Sequence, residues 1–175
     1  MKALTEGDEK RIARLEKYAA KVEEAQAEMV RAINSGELEA LSEEEIKFQL
    51  SWTPNAIAEC GLLLAKIHRA YGYAKNDTKT IKADIRSEAT RRKVELGLSS
   101  ATDRDDYVQI NPKYQEAVKQ ELEWECWERR MQVIYERYQD LFVSARKLSS
   151  LIVPYNKAQD DYVKYNKEYG AEDDR

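Results

Sequence analysis

Helix-breaking residues are scarce in this chain, with 6 Gly and 3 Pro among 175 residues. That scarcity argues against a fold made of many turns and short strands. Histidine occurs once, as His68, and cysteine twice, as Cys60 and Cys126. A helical di-metal carboxylate centre draws a Glu-x-x-His motif from each of two helices, and one histidine cannot supply two. The two cysteines lie 66 positions apart, far from any zinc spacing. No phosphate-cradling glycine loop and no nucleophile elbow is present. The sequence therefore predicts no enzyme, no metal and no cofactor. His68 reads as an ordinary helix residue in "AKIHRAY", and both cysteines read as small buried thiols of an intracellular protein. No run approaches the roughly 18 apolar residues of a membrane span. The start, "MKALTEGDEKR", has no apolar signal core. A cytoplasmic protein without membrane contact is expected.

Charge and periodicity are abundant. Charged residues make up 35% of the chain and hydrophobic residues 42%, with a formal net charge of −4. Such a balance excludes a uniformly basic nucleic-acid binder but allows a local basic stripe. Ile12, Leu15, Ala19, Val22, Gln26, Met29 and Ile33 step by three and four, which predicts a helix over about 6–34. Ser35-Gly36 ends it, since glycine tolerates the left-handed conformation past a helix end. Ser42-Glu43-Glu44-Glu45 reads as a capping box opening a short helix over 42–51. Pro54 reads as a restart. From there Ile57, Cys60, Leu64, Ile67, Tyr71, Ala74, Thr78, Ile81 and Ile85 predict a helix over about 54–98, roughly 65 Å long at ~1.5 Å per residue. Trp124, Trp127, Met131, Ile134, Tyr138, Leu141, Ala145, Leu148 and Ile152 hold the alternation without a miss, predicting a core and oligomer seam on a helix over 112–153. Pro154 should kink or end it. Tyr155, Tyr162 and Tyr169 then recur every seven residues on a last helix over 155–169, ahead of a frayed "AEDDR" tail.

The expected architecture is all-α, a single elongated domain over 1–175. It is built on an antiparallel, coiled-coil-like hairpin turned by a loop at 99–111, with the terminal helices packed near its open end. Two helices alone cannot bury such seams, so a homo-oligomer is expected.

One segment stands out electrically. Residues 75–93 carry seven basic side chains against three acidic ones, a local +4, and 116–128 carry one against five, a local −4. Folding the chain about residue 105 sets these stretches side by side as cross-helix ion pairs. Lys82 and Arg86 would then pair with the Glu-rich helix. Arg91, Arg92 and Lys93 span about 200° of helix surface and cannot all face one partner, so part of this cluster is left for a nucleic-acid backbone. Tyr107 and Tyr114, beside the loop, are the candidate stacking rings for single-stranded bases.

The layout "IKADIRSEATRRKVELGL", then "SSATDRDDYVQINPKYQ", then "LEWECWERRMQVIYERYQDLFVSARKLSSLI" resembles the UvsY family of phage recombination mediators over about residues 78–152. The resemblance implies a small helical oligomer, phage-encoded and acting in a bacterial host. Such a protein would bind single-stranded DNA and help load a recombinase partner. Of the basic run that the family places before its loop, this chain keeps Arg91, Arg92 and Lys93. A second reading from the residues is a helical protein–protein interaction protein with no nucleic-acid role. It would be an assembly scaffold or a small inhibitor of a host or defence enzyme, meeting a basic partner through "EDD" and "DRDD".

Overall fold

The computed structural model describes residues 4–37 and 43–169. The side chains of Glu45, Val153, Tyr155, Tyr162 and residues 165–169 lie outside that description, as do the Ser42 cap and the "AEDDR" tail. The described residues are 91% helical and contain no strand. They form α1 (Glu6–Ser35), α2 (Glu43–Arg91), α3 (Ala101–Ile110) and α4 (Pro112–Tyr169). The long helices α2 and α4 pack against each other, giving the all-α hairpin expected from the sequence.

Helix ends follow local chemistry. Thr5 caps α1: its Oγ1 accepts from the Asp8 N–H at 3.2 Å, and its own N–H donates to Asp8 Oδ2 at 3.0 Å. At the far end Glu37 N–H reaches Ala32 O and Gly36 N–H reaches Ile33 O. This is a Schellman closure, with Gly36 at φ 80° as that closure requires. The same pair of bonds recurs at Gly97 (φ 68°), where Leu98 N–H meets Lys93 O and Gly97 N–H meets Val94 O. Helix-like turns therefore continue past Arg91 and stop at Gly97.

Neither internal proline breaks its helix. Pro54 lies inside α2 and Pro154 inside α4, so the pieces expected at 42–51 and 54–98 are one helix, as are those at 112–153 and 155–169. A proline removes one helical hydrogen bond and crowds the carbonyl four residues back. At Pro54 the Thr53 hydroxyl donates to Gln49 O at 2.6 Å, and Gln49, Thr53 and Ala56 are buried. Packing on both sides of the proline outweighs one missing bond. Beyond Pro154, Asn156 Nδ2 donates to Glu43 Oε2 at 3.1 Å, tying the end of α4 to the start of α2. Glu43 is held below the usual carboxylate range, first by the Lys47 ammonium and then by Asn156.

Contacts divide the chain into two compact units. The three-helix unit comprises Lys10–Cys60 and the chain from Ile134 onward. Here α1, the first part of α2 and the second part of α4 enclose Ile12, Leu15, Ala19, Cys60, Tyr138 and Ala145. A further cluster joins Met29, Ile46, Leu148 and Ile152. Its buried polar groups are satisfied. Gln26 Nε2 donates to Gln49 Oε1 at 3.0 Å and to Leu141 O at 2.8 Å. Tyr138, wholly buried, donates its hydroxyl to Leu15 O at 2.6 Å and meets the Trp52 ring edge-on at 5.6 Å. Burial pushes the Cys60 thiol up to about 12 and raises the Tyr138 phenol, so both stay neutral.

The hairpin unit comprises the chain start through Glu9 together with Gly61–Val133. Its buried positions mix the small Ala70, Ala74, Thr78, Ala89 and Ala117 with the larger Leu63, Ile67, Ile85, Val108 and Met131. Tyr71, Ile81, Trp124 and Trp127 are only half-buried. The expected seam therefore corrects in two places. Met131, Ile134, Tyr138, Leu141 and Leu148 are core, whereas Trp124 and Trp127 overhang the edge of a two-helix contact. On α2 the expected Cys60, Ile67, Ala74, Thr78 and Ile85 are buried, whereas Ala56, Leu63 and Ala70 are buried in place of Ile57, Leu64 and Tyr71, each one residue earlier. Asp8 is buried in this unit against the Lys66 ammonium, which with the Thr5 hydrogen bonds lowers its pKa to about 2.

Candidate functional site

The basic segment takes its position from the register of the hairpin. Thr78 Oγ1 donates to Ala117 O at 3.2 Å, Lys82 Nζ sits 5.9 Å from the Tyr114 ring centroid, and His68 Nδ1 meets Glu128 Oε1. The midpoints of these pairs fall at about residue 98, at the Gly97 turn and not at 105. The expected pairing of 82–93 with 117–128 is therefore wrong by several helical turns. The cause is α3. Residues 99–111, expected as a loop, contain a ten-residue helix. It opens on a capping box in which the Asp103 N–H donates to Ser100 Oγ at 3.0 Å and the Ser100 N–H donates to Asp103 Oδ2 at 2.7 Å. The Ser100 amide, and after it the Ser99 hydroxyl donating to Oδ2 at 2.9 Å, hold the Asp103 carboxyl low. The signal was present as Ser100 and Asp103 three positions apart; the surrounding serines and aspartates disguised it as a loop.

Each basic side chain thus has a different neighbour from the one expected. Lys82 lies over the half-buried Tyr114 near the start of α4, and Arg86 pairs with Asp105 of α3 at 3.0 Å, so neither pairs with the glutamates of 116–128. Arg92 is clamped between Glu95 and Glu88 at 3.0 and 3.1 Å, and both carboxylates raise its pKa. Arg91 and Lys93 are exposed and make no ion pair among the described residues. Arg91 and Arg92 line a cleft of about 860 Å³ with Tyr107, Lys113, Asp84 and Glu88. Tyr107 is half-buried on α3. The expected patch is brought together only in part: Arg91, Arg92 and Tyr107 share the cleft, while the Lys82–Tyr114 pair stands apart from its lining. Two carboxylates in the cleft offset two of its three cations.

A second surface of the hairpin unit was not read from the sequence. On α4, Tyr114, Val118, Leu122 and Cys126 follow steps of four and form one ridge of a groove of about 720 Å³. Lys119, Glu123 and Trp127 belong to the neighbouring ridge. Leu122 is 54% exposed, and Cys126 is exposed rather than buried as expected. The i, i+4 spacing could have marked this stripe, but the longer seam pattern on α4, which also claims Trp127, masked it.

Among the described residues, no helix is long and apolar enough to cross a membrane, and no group of three or more His, Cys, Asp or Glu could hold a metal ion. The chain matches none of the family models, curated proteins or solved structures with which it was compared.

Proposed function

We propose that this chain is a helical protein-association module whose working surface is the outer face of α4 in the hairpin unit. The observation that carries this reading is the apolar groove centred on Val118 and Leu122, on a helix whose far side at Ala117 and Met131 is already committed to α2, with Tyr114 under Lys82 closing one end. Apolar side chains aligned along an exposed helix ridge are what helix-in-groove recognition uses. The ion-paired state of Arg86 and Arg92 supports the same reading, because those cations are already matched by carboxylates.

A second reading is favoured by the cleft holding Arg91, Arg92, Tyr107 and Lys113. There the chain would bind single-stranded DNA, as a mediator that assists recombinase loading, with Arg91 and Lys93 supplying free charge. Such binding would fall steeply with salt, because each neutralised phosphate releases counterions.

One experiment separates them. A photo-crosslinking side chain is placed at Leu122 in one variant and at Tyr107 in another, and both are irradiated in living cells. Association through α4 gives protein adducts at 122 and none at 107. Nucleic-acid adducts at 107, with none of protein at 122, would reverse the assignment. Single-strand binding at low salt that disappears in Arg91→Ala/Arg92→Ala/Lys93→Ala would also support the DNA reading.

A further inference from the structure

We infer that the occupant of the α4 groove is a second copy of this chain, docked through the same face about a two-fold axis. This deepens the association reading above and rests on it. The argument begins with charge. Lys119 and Glu123 lie one turn apart on the same ridge, and neither makes an ion pair among the described residues. Two neighbouring carboxylates have partners on their own helix: Glu125 pairs with Arg129, and Gln120 donates to Glu116. A purely acidic or purely basic partner would satisfy one of the two free charges and repel the other. An antiparallel copy satisfies both, since a two-fold axis midway between them sets each Lys119 opposite the other copy's Glu123.

Shape agrees with that register. Tyr114, Val118, Leu122 and Cys126 form a ridge of step four, flanked by the groove that separates it from Lys119, Glu123 and Trp127. Two such ridges, laid antiparallel, can alternate their side chains along one line of contact. With the axis midway between Lys119 and Glu123, each Leu122 falls between Val118 and Leu122 of the other copy, and each Cys126 falls between Tyr114 and Val118. The apolar ridge and the charged rim are thus met by a single operation. The half-exposed Leu122 is the central anchor.

Sedimentation equilibrium of the full chain across a micromolar concentration series tests this. The expected species is a dimer. Lys119→Glu turns both cross-copy pairs repulsive and raises the dimer dissociation constant by roughly tenfold or more. Lys119→Glu with Glu123→Lys restores the wild-type value, because the swap preserves the pairing. Leu122→Asp gives monomers of unchanged helicity by circular dichroism. A double variant as weak as the single one overturns the inference. So does a wild-type chain that is monomeric throughout. If that monomer still crosslinks a different protein through residue 122, only the second copy falls. If it crosslinks nothing, the association reading falls with it.

Discussion

The two units use the same sequence grammar and reach different degrees of closure. In the three-helix unit the steps of three and four on α1, α2 and α4 converge. Large side chains such as Ile12, Leu15, Ile46 and Tyr138 are wholly or almost wholly buried. In the hairpin unit two helices meet along a narrow strip. Small side chains such as Ala74 and Ala117 and aliphatic ones such as Ile67 and Ile85 fit inside it, while the aromatic Tyr71, Tyr114, Trp124 and Trp127 are left half-exposed. The comparison teaches that a heptad-like seam specifies a direction of burial, and that its completeness depends on how many helices surround it. The polar links differ in the same sense. The three-helix unit ties itself together through the buried Gln26 and Tyr138, and the hairpin unit through Thr78, the Asp8–Lys66 pair and cation–ring contacts near its surface.

The sharpest way to break this comparison is to put the same charge in both units. Leu141→Asp buries a carboxylate in the three-helix unit and should cost more than ~3 kcal/mol, unfolding much of the chain in urea titrations. Leu122→Asp, on an exposed ridge of the hairpin unit, should stay within about 0.5 kcal/mol of wild type once dimerisation is accounted for. Equal effects would erase the distinction. Gln26→Ala comes next, at roughly 2–3 kcal/mol, because it opens a cavity and strands the Gln49 amide oxygen in the core. A urea midpoint shifted by no more than that of a typical surface variant would show that Gln26 is dispensable.

Asp8 makes the comparison pH-dependent. Its folded pKa of about 2 lies below the ordinary aspartate value of 3.8. The Lys66 and Thr5 contacts therefore stabilise the folded state fully above about pH 4, and this is lost as pH falls toward 2. The loss amounts to at most ~2 kcal/mol. Asp8→Asn should lower stability at neutral pH and flatten the acid limb of the stability profile, and an unaltered limb would rule the contact out. The smallest effect expected is for Thr78→Val. It removes the hydroxyl bond to Ala117 O without changing side-chain shape and should cost about 1 kcal/mol or less.

Much of the fold was legible along the chain because periodicity is a local property. The Ile12-to-Met29 steps, the Gly36 stop, the Pro112 start and the Met131-to-Ile152 run could all be read in order. The candidate site was legible in composition and illegible in pairing. Lys82, Arg86, Arg91, Arg92 and Lys93 could be named. Their neighbours depended on where the chain turned, and an unrecognised ten-residue helix moved that turn from 105 to Gly97.

The amino-acid sequence by itself determined the helices, their apolar stripes and their glycine stops, because these depend on residues within a few positions of one another. Only the tertiary structure decided that Pro54 and Pro154 would be carried through, that Trp124 and Trp127 would overhang, that Cys126 would face outward, and that Arg86 would meet Asp105. Each of those outcomes is set by the register and number of helices brought together from distant parts of the chain. For ordinary residues local propensity, at a few tenths of a kcal/mol, is too weak to resist them, and even the ~3 kcal/mol cost of a proline in a helix interior is outweighed by packing.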